Sequence, residues 1–116
     1  MDQPWTPSEA TNKIRAMARS EQLNLAYKIH TKERLAERGI IISDVLFVLK
    51  HGFVLTEAEK STRDGFFKYS MESKTPNSAS RDIRVVLLPD APRSSIKIVT
   101  VMWVDEIATR GGTIIG

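Results

Sequence analysis

The chain has 116 residues, 41% hydrophobic and 27% charged, with a net charge of +3 and no cysteine. That size and balance suit one globular domain around one core. They exclude disulfides and thiolate metal sites, and with His30 and His51 as the only imidazoles no metal or cofactor is expected.

No apolar run approaches the ~20 residues of a membrane helix. The longest, SDVLFVLKHGFVL, is broken by Lys50, His51 and Gly52. The start, MDQPWTPSEATNK, is acidic and has no apolar stretch, so it does not read as a secretory signal, and a cytoplasmic protein is expected. A charge of +3 permits nucleic-acid binding without demanding it, so the distribution of basic residues matters more than their sum.

Residues 1–22 read as an arm anchored by Trp5 and a first helix capped by Thr6 or Ser8, with Pro7 in its first turn. Ala10, Ile14, Met17 and Ala18 form its apolar stripe. In LNLAYKIH, Leu23, Leu25, Tyr27 and Ile29 alternate with Asn24, Ala26, Lys28 and His30, which predicts a half-buried first strand. Thr31 then suits a helix start with Glu33 in its first turn, and Gly39 its end. Ser43 with Asp44 predicts the cap of an apolar helix, DVLFVLK, that stops at Gly52. His51 is expected to meet the carbonyls at that helix end.

Strand patterns follow. FVLTEAEKS predicts an edge strand, and DGFFKYSMES alternates with Phe67, Tyr69 and Met71 on one side. KTPNSASR is a polar loop. DIRVVLLPD and SSIKIVTVMWVD are nearly continuous apolar runs, which predicts central strands covered on both faces, joined by a turn at PDAPR. The glycines of TRGGTIIG predict a flexible tail at 107–116. The expected fold class is α+β, with N-terminal helices packed on an antiparallel sheet and one domain over 23–106.

Four-residue steps put His30, Arg34 and Arg38 on one slowly turning helical stripe. A histidine moves protons near neutral pH, and arginines hold a phosphate through paired hydrogen bonds. Such a set suits RNA cleavage, in which a ribose 2′-OH is activated and a charged phosphorane is stabilised. A solvated helix is the plainer reading, because Glu33 and Glu37 lie beside the arginines and ion pairs decorate many exposed helices.

Lys68, Arg84 and Lys97 each fall inside a predicted strand among apolar neighbours. In the right register they line one open face with Thr100; otherwise their stems run past the core to water. Thr100 suits a backbone hydrogen bond or a site hydroxyl. Trp103 and Tyr69 suit base stacking or the core.

HTKERLAERGI followed by SDVLFVLKHG resembles a small bacterial family of uncharacterised domains. That family carries a His-Ala-x-x-Arg…Glu-Arg-Gly-Ile motif and is grouped with BrnT- and RelE-like toxins. GFFKYSM, IRVVLLP and IKIVTVMWVDE are similar to its strands in order and type. The resemblance covers about residues 25–106, and its motif falls on His30, Arg34, Glu37 and Arg38. It implies a RelE/barnase-like fold whose open sheet face handles RNA without metal, and a cognate helix-turn-helix antitoxin as partner.

On that footing His30, Arg34, Arg38, Lys68 and Arg84 are the candidate catalytic residues, and Lys28, Lys97 and Thr100 the candidate RNA-binding ones. The expected activity is that of a metal-independent ribonuclease toxin. A non-catalytic RNA- or protein-binding module of the same fold is the alternative. Thr31 departs from the family's alanine, and the N-terminal helix is an addition.

Overall fold

The computed structural model describes residues 3–106; the tail expected at 107–116 lies outside them. Helix α1 (Pro7–Arg19) starts at a reciprocal cap, in which Thr6 Oγ1 accepts from the Glu9 amide (3.1 Å) and Glu9 accepts from the Thr6 amide (2.9 Å). Its buried residues Ala10, Thr11, Ile14 and Ala18 follow the predicted stripe. Strand β1 (Asn24–Tyr27) leads directly into α2 (Ile29–Arg38), and α3 (Ile42–His51) follows after a three-residue break. The remaining elements are β2 (Phe53–Val54), β3 (Glu59–Lys60), β4 (Phe67–Ser73), β5 (Ile83–Asp90), a 3-10 turn (Ala91–Arg93) and β6 (Ser95–Trp103).

The sheet order is β1-β6-β5-β4-β2, with β3 pairing β4 off that path. The expected α+β class holds, but the sheet is mixed, because β1 pairs β6 in parallel while β4, β5 and β6 are antiparallel. Two helices separate β1 from the meander, so no hairpin constrains its direction. FVLTEAEKS, expected as one strand, is two dipeptide strands, β2 and β3, either side of an irregular stretch.

Tyr69, Met71, Ile83, Val85, Leu87, Ile96, Ile98 and Val101 point inward from the sheet. They meet Ile14 of α1, Leu35 of α2, and Val45, Val48 and Leu49 of α3. The opposite face carries no helix among the described residues. This corrects the expectation that β5 and β6 are covered on both sides: Val86, Leu88 and Met102 lie on the outer face, where only Leu88 is buried (9% exposed) and the other two are half-exposed.

Val99 has no partner on β5, since Val86 pairs Thr100 and Leu87 pairs Ile98. This one-residue bulge lets Ile98 and Val101, three apart, both face the core.

Local signals explain most boundaries. Gly39 ends α2 in the left-handed conformation (φ 69°). Gly52 ends α3 for a different reason: a Cβ there would sit 2.6 Å from the Val48 carbonyl oxygen and 2.7 Å from that of Glu72. The α3 cap is not Ser43. The helix starts two residues earlier, at Ile42 with Ile41 as N-cap, and Asp44 reaches back to accept from the Ile41 amide (3.1 Å).

Asp44 is buried, and its other oxygen accepts from Thr75 Oγ1 (2.8 Å), which ties the polar loop 74–81 to α3. The carbonyls at the α3 end are met by Arg15, through Gly52 (2.9 Å) and His51 (3.1 Å), and by Arg19, through Lys50. His51, expected in that role, turns its ring onto Phe47 instead, at 4.5 Å. The arginines reach these oxygens first because α1 packs along α3.

Candidate functional site

Helix α2 begins at Ile29 with Lys28 as N-cap, two residues before the expected start at Thr31. His30 is therefore inside the first turn and shares the helix with Arg34 and Arg38. The N-cap supplies no side-chain hydrogen bond and the first turn holds no acid, so the positive end of the helix is uncompensated. Thr31, where the resembled family has alanine, is 4% exposed, and its hydroxyl has no partner among the described residues.

The α2 N-terminus opens onto a cleft of about 250 Å³ on the open sheet face. Strand register explains what meets there. Lys97 of β6 pairs Leu88 of β5 on one side and Ala26 of β1 on the other. Lys68 of β4 stands next to Tyr69, which pairs Leu87, so its side chain shares the outer face with Leu88.

The result is a row with Lys68 and Lys97 flanking an apolar floor at Leu88. Lys28 and His30 close one end, and the hydroxyls of Ser61 and Thr62 stand opposite. Among the described residues no carboxylate lines this cleft. The nearest counter-charge in the ion-pair network is Glu59, 3.9 Å from Lys68 and largely exposed. Four basic side chains, three hydroxyls and an uncapped helix start suit an anion with several oxygens.

The other expected site residues go elsewhere. Arg34 is exposed on α2 and outside the cleft. Arg38 is bound at both ends of its fork: Nε and Nη2 donate to the Glu106 carboxylate (2.8–3.0 Å). Its carbonyl accepts from Trp103 Nε1 (2.9 Å), and its Nη1 is buried without a partner among the described residues.

Arg84 faces outward but pairs across the strands with Glu72 (2.8 Å). Thr100 sits on the same outer face, opposite Val86, with no hydrogen bond to its hydroxyl among the described residues. Lys68, Arg84, Lys97 and Thr100 thus share one face. Lys68 and Lys97 meet Lys28 and His30 in the cleft; Arg34, Arg38, Arg84 and Thr100 do not.

Glu33 and Glu37 make no ion pair with the α2 arginines among the described residues. Glu33, Arg34 and Glu37 are all exposed, so this side of α2 is solvated without ion pairs. Neither aromatic of the paired readings is free to stack on a base. Tyr69 is core, its hydroxyl accepting from the Trp5 amide (2.9 Å), and burial holds its phenol above the ordinary value. Trp103 is covered by the Arg81 guanidinium at 4.0 Å.

Arg81 in turn holds Asp105 (2.6 Å), and that hydrogen bond keeps the Asp105 carboxyl below its ordinary value. Ser61 and Thr62 were missed as cleft residues. They sit in the irregular stretch after β3, and only the folding of that stretch over Leu88 brings them in.

An α+β domain with helices on one sheet face and a basic cleft on the other is the class these features define. The chain belongs to a family described as a domain of unknown function, DUF4258, which matches residues 27–103. The match begins just before the cleft's helix and ends at Trp103, so it spans the cleft and leaves α1 outside. No curated protein matches the chain, and no solved structure does. Among the described residues no group of side chains could hold a metal ion, and no helix is long and apolar enough to cross a membrane.

Proposed function

We propose that the cleft binds single-stranded RNA through its phosphates and cleaves it without metal, as a toxin of BrnT- or RelE-like kind. The observation that carries this reading is the convergence of Lys28, His30, Lys68 and Lys97 on a cleft with no carboxylate in its lining among the described residues. In the reaction His30 takes the proton of a ribose 2′-OH as its oxygen bonds to phosphorus. The lysine ammonium groups and the uncapped start of α2 stabilise the phosphorane charge. The bond from phosphorus to the 5′-oxygen then breaks, and an ammonium group of the cleft supplies the proton to that oxygen, leaving a 2′,3′-cyclic phosphate.

The phosphate-holding role passes in this proposal from Arg34 and Arg38 to the three lysines, because Arg38 is engaged by Glu106. The alternative is a binding module without catalysis. It is favoured by one observation: the His30 ring has no hydrogen-bond partner among the described residues, whereas catalytic bases are commonly oriented by a third group.

Incubating the purified chain with labelled single-stranded RNA in EDTA separates the two. Cyclic-phosphate products that vanish with His30→Ala, and at a 2′-deoxy position, support cleavage. RNA that binds but stays intact supports the module. A chain that neither binds nor cuts RNA refutes both.

A further inference from the structure

The cleft does not end at Lys97. Toward the start of β6 a second lobe of about 300 Å³ opens, sharing Leu88 and Lys97 with the first. Its floor is a polar row across three strands, because Ser95 of β6 pairs both Asp90 of β5 and Asn24 of β1. One wall is the Arg63–Phe66 pair, with the guanidinium 4.3 Å from the ring centroid.

Among the described residues the Asp90 carboxylate caps nothing and accepts no hydrogen bond. Its one ion pair among the described residues is a loose contact with Arg93, at 3.9 Å. Asp90 is otherwise a free pair of acceptors in the floor of a groove.

A carboxylate in the floor makes this lobe a poor second phosphate seat. A flat wall made of an aromatic ring and a guanidinium suits a flat heteroaromatic ring. Acceptor oxygens on Asp90, with the amide of Asn24 and the hydroxyl of Ser95 beside it, suit a ring edge that offers N–H donors. The lobes are laid out along β6 from Ser95 to Val99, four residues or ~13 Å of strand, so one chain can occupy both.

Resting on the RNA reading above, we infer that the second lobe seats an unpaired nucleobase next to the phosphate held in the first. The base stacks on the Arg63–Phe66 pair and gives its exocyclic amino hydrogens to Asp90. Adenine, cytosine and guanine carry such an amino group. Uracil does not, and it turns carbonyl oxygens to either side of its one N–H, toward the carboxylate. The site therefore prefers amino-bearing bases over uracil. It also rejects duplex RNA, whose amino groups are engaged by the complementary strand and whose bases are stacked on each other.

The test is fluorescence anisotropy of the full chain with labelled six-nucleotide RNAs of adenine, cytosine or uracil alone, in EDTA, with each RNA checked for integrity by gel. The adenine and cytosine oligomers are expected to bind about tenfold tighter than the uracil one, the usual weight of a hydrogen bond to a charged group. Asp90→Asn, nearly isosteric and checked by thermal melting, should bring that ratio to about one. Arg63→Ala, at an exposed position, should weaken all three about fivefold or more through lost stacking. An unlabelled duplex should compete poorly.

Equal affinity for the three oligomers, a preference that survives Asp90→Asn, or a duplex competing as well as single strands overturns the base seat and leaves the phosphate reading standing. Failure of the wild-type chain to bind any of the three overturns both.

Discussion

Replacing Lys97 by alanine removes the cation common to both lobes of the groove, and the consequence is measurable as a salt dependence. Binding of single-stranded nucleic acid releases counterions, and log K falls with log[salt] by ~0.7 for each phosphate neutralised. Lys28, Lys68 and Lys97 in the first lobe set a slope of about −2.1.

At that slope, raising salt from ~50 to ~200 mM weakens wild-type binding about 18-fold. Lys97→Ala, with a slope of about −1.4, loses only about sevenfold over the same range. Lys28→Ala should behave alike. Lys68→Ala should change the slope less, because Glu59 stands 3.9 Å from that ammonium and already offsets part of its charge. Arg34→Ala is the informative control, since that side chain lies outside the cleft. Anisotropy titrations of a short single-stranded RNA at four or more salt concentrations give each slope. A slope that falls with Arg34→Ala and is indifferent to Lys97→Ala would refute the assignment of the groove and return the site to the exposed stripe of α2.

Asp44→Ala leaves the Thr75 hydroxyl and the Ile41 amide without their acceptor in a buried setting, a loss of about 3 kcal/mol. At about 4 °C per kcal/mol, melting should fall by about 12 °C, while Asp44→Asn recovers part of it; a shift under ~3 °C would contradict the network. Gly52→Ala forces a methyl against two backbone oxygens at 2.6 and 2.7 Å and should cost about 2 kcal/mol or more in denaturant unfolding. The depressed Asp105 carboxyl contributes stability that is present above the ordinary value of ~3.9 and is lost as pH falls through its lower folded value. Trp103 fluorescence should therefore change on the acid side as Arg81 is released from its ring, and Asp105→Asn should abolish that step.

Strand β4 was legible because its alternation is local: Phe67, Tyr69 and Met71 read inward without any partner being known, whereas β5 and β6 read as unbroken apolar runs that hid their outer face. Gly39 was legible for the same reason, since a left-handed helix end has a local residue preference. The α2 start was not, because Lys28 caps with its backbone alone and Thr31 mimics a cap from inside the first turn. Arg38 illustrates a deeper limit. Its nearest acids in sequence are Glu33 and Glu37, yet its partner is Glu106, 68 positions away, brought close by the packing of α2 on β6.

The candidate site divides along the same line. Lys68 and Lys97 were identifiable as charges inside apolar strands. Their meeting with Lys28 and His30 depends on β1 lying parallel to β6, which no local pattern encodes.

The unpaired residue at Val99 has an effect beyond its own position. Before it, β6 sends Lys97 outward to the groove; after it, the strand sends Val101 inward and leaves Trp103 to bind the Arg38 carbonyl. A strand of unbroken period two would have to sacrifice one assignment to keep the other. Val99 works as a phase shifter, so the half of the strand that faces ligand and the half that locks α2 can each vary without shifting the frame of the other. Deleting that single residue would join Ile98 to Thr100 in regular alternation, so both halves would keep their faces and only the local bend and twist of the bulge would be lost.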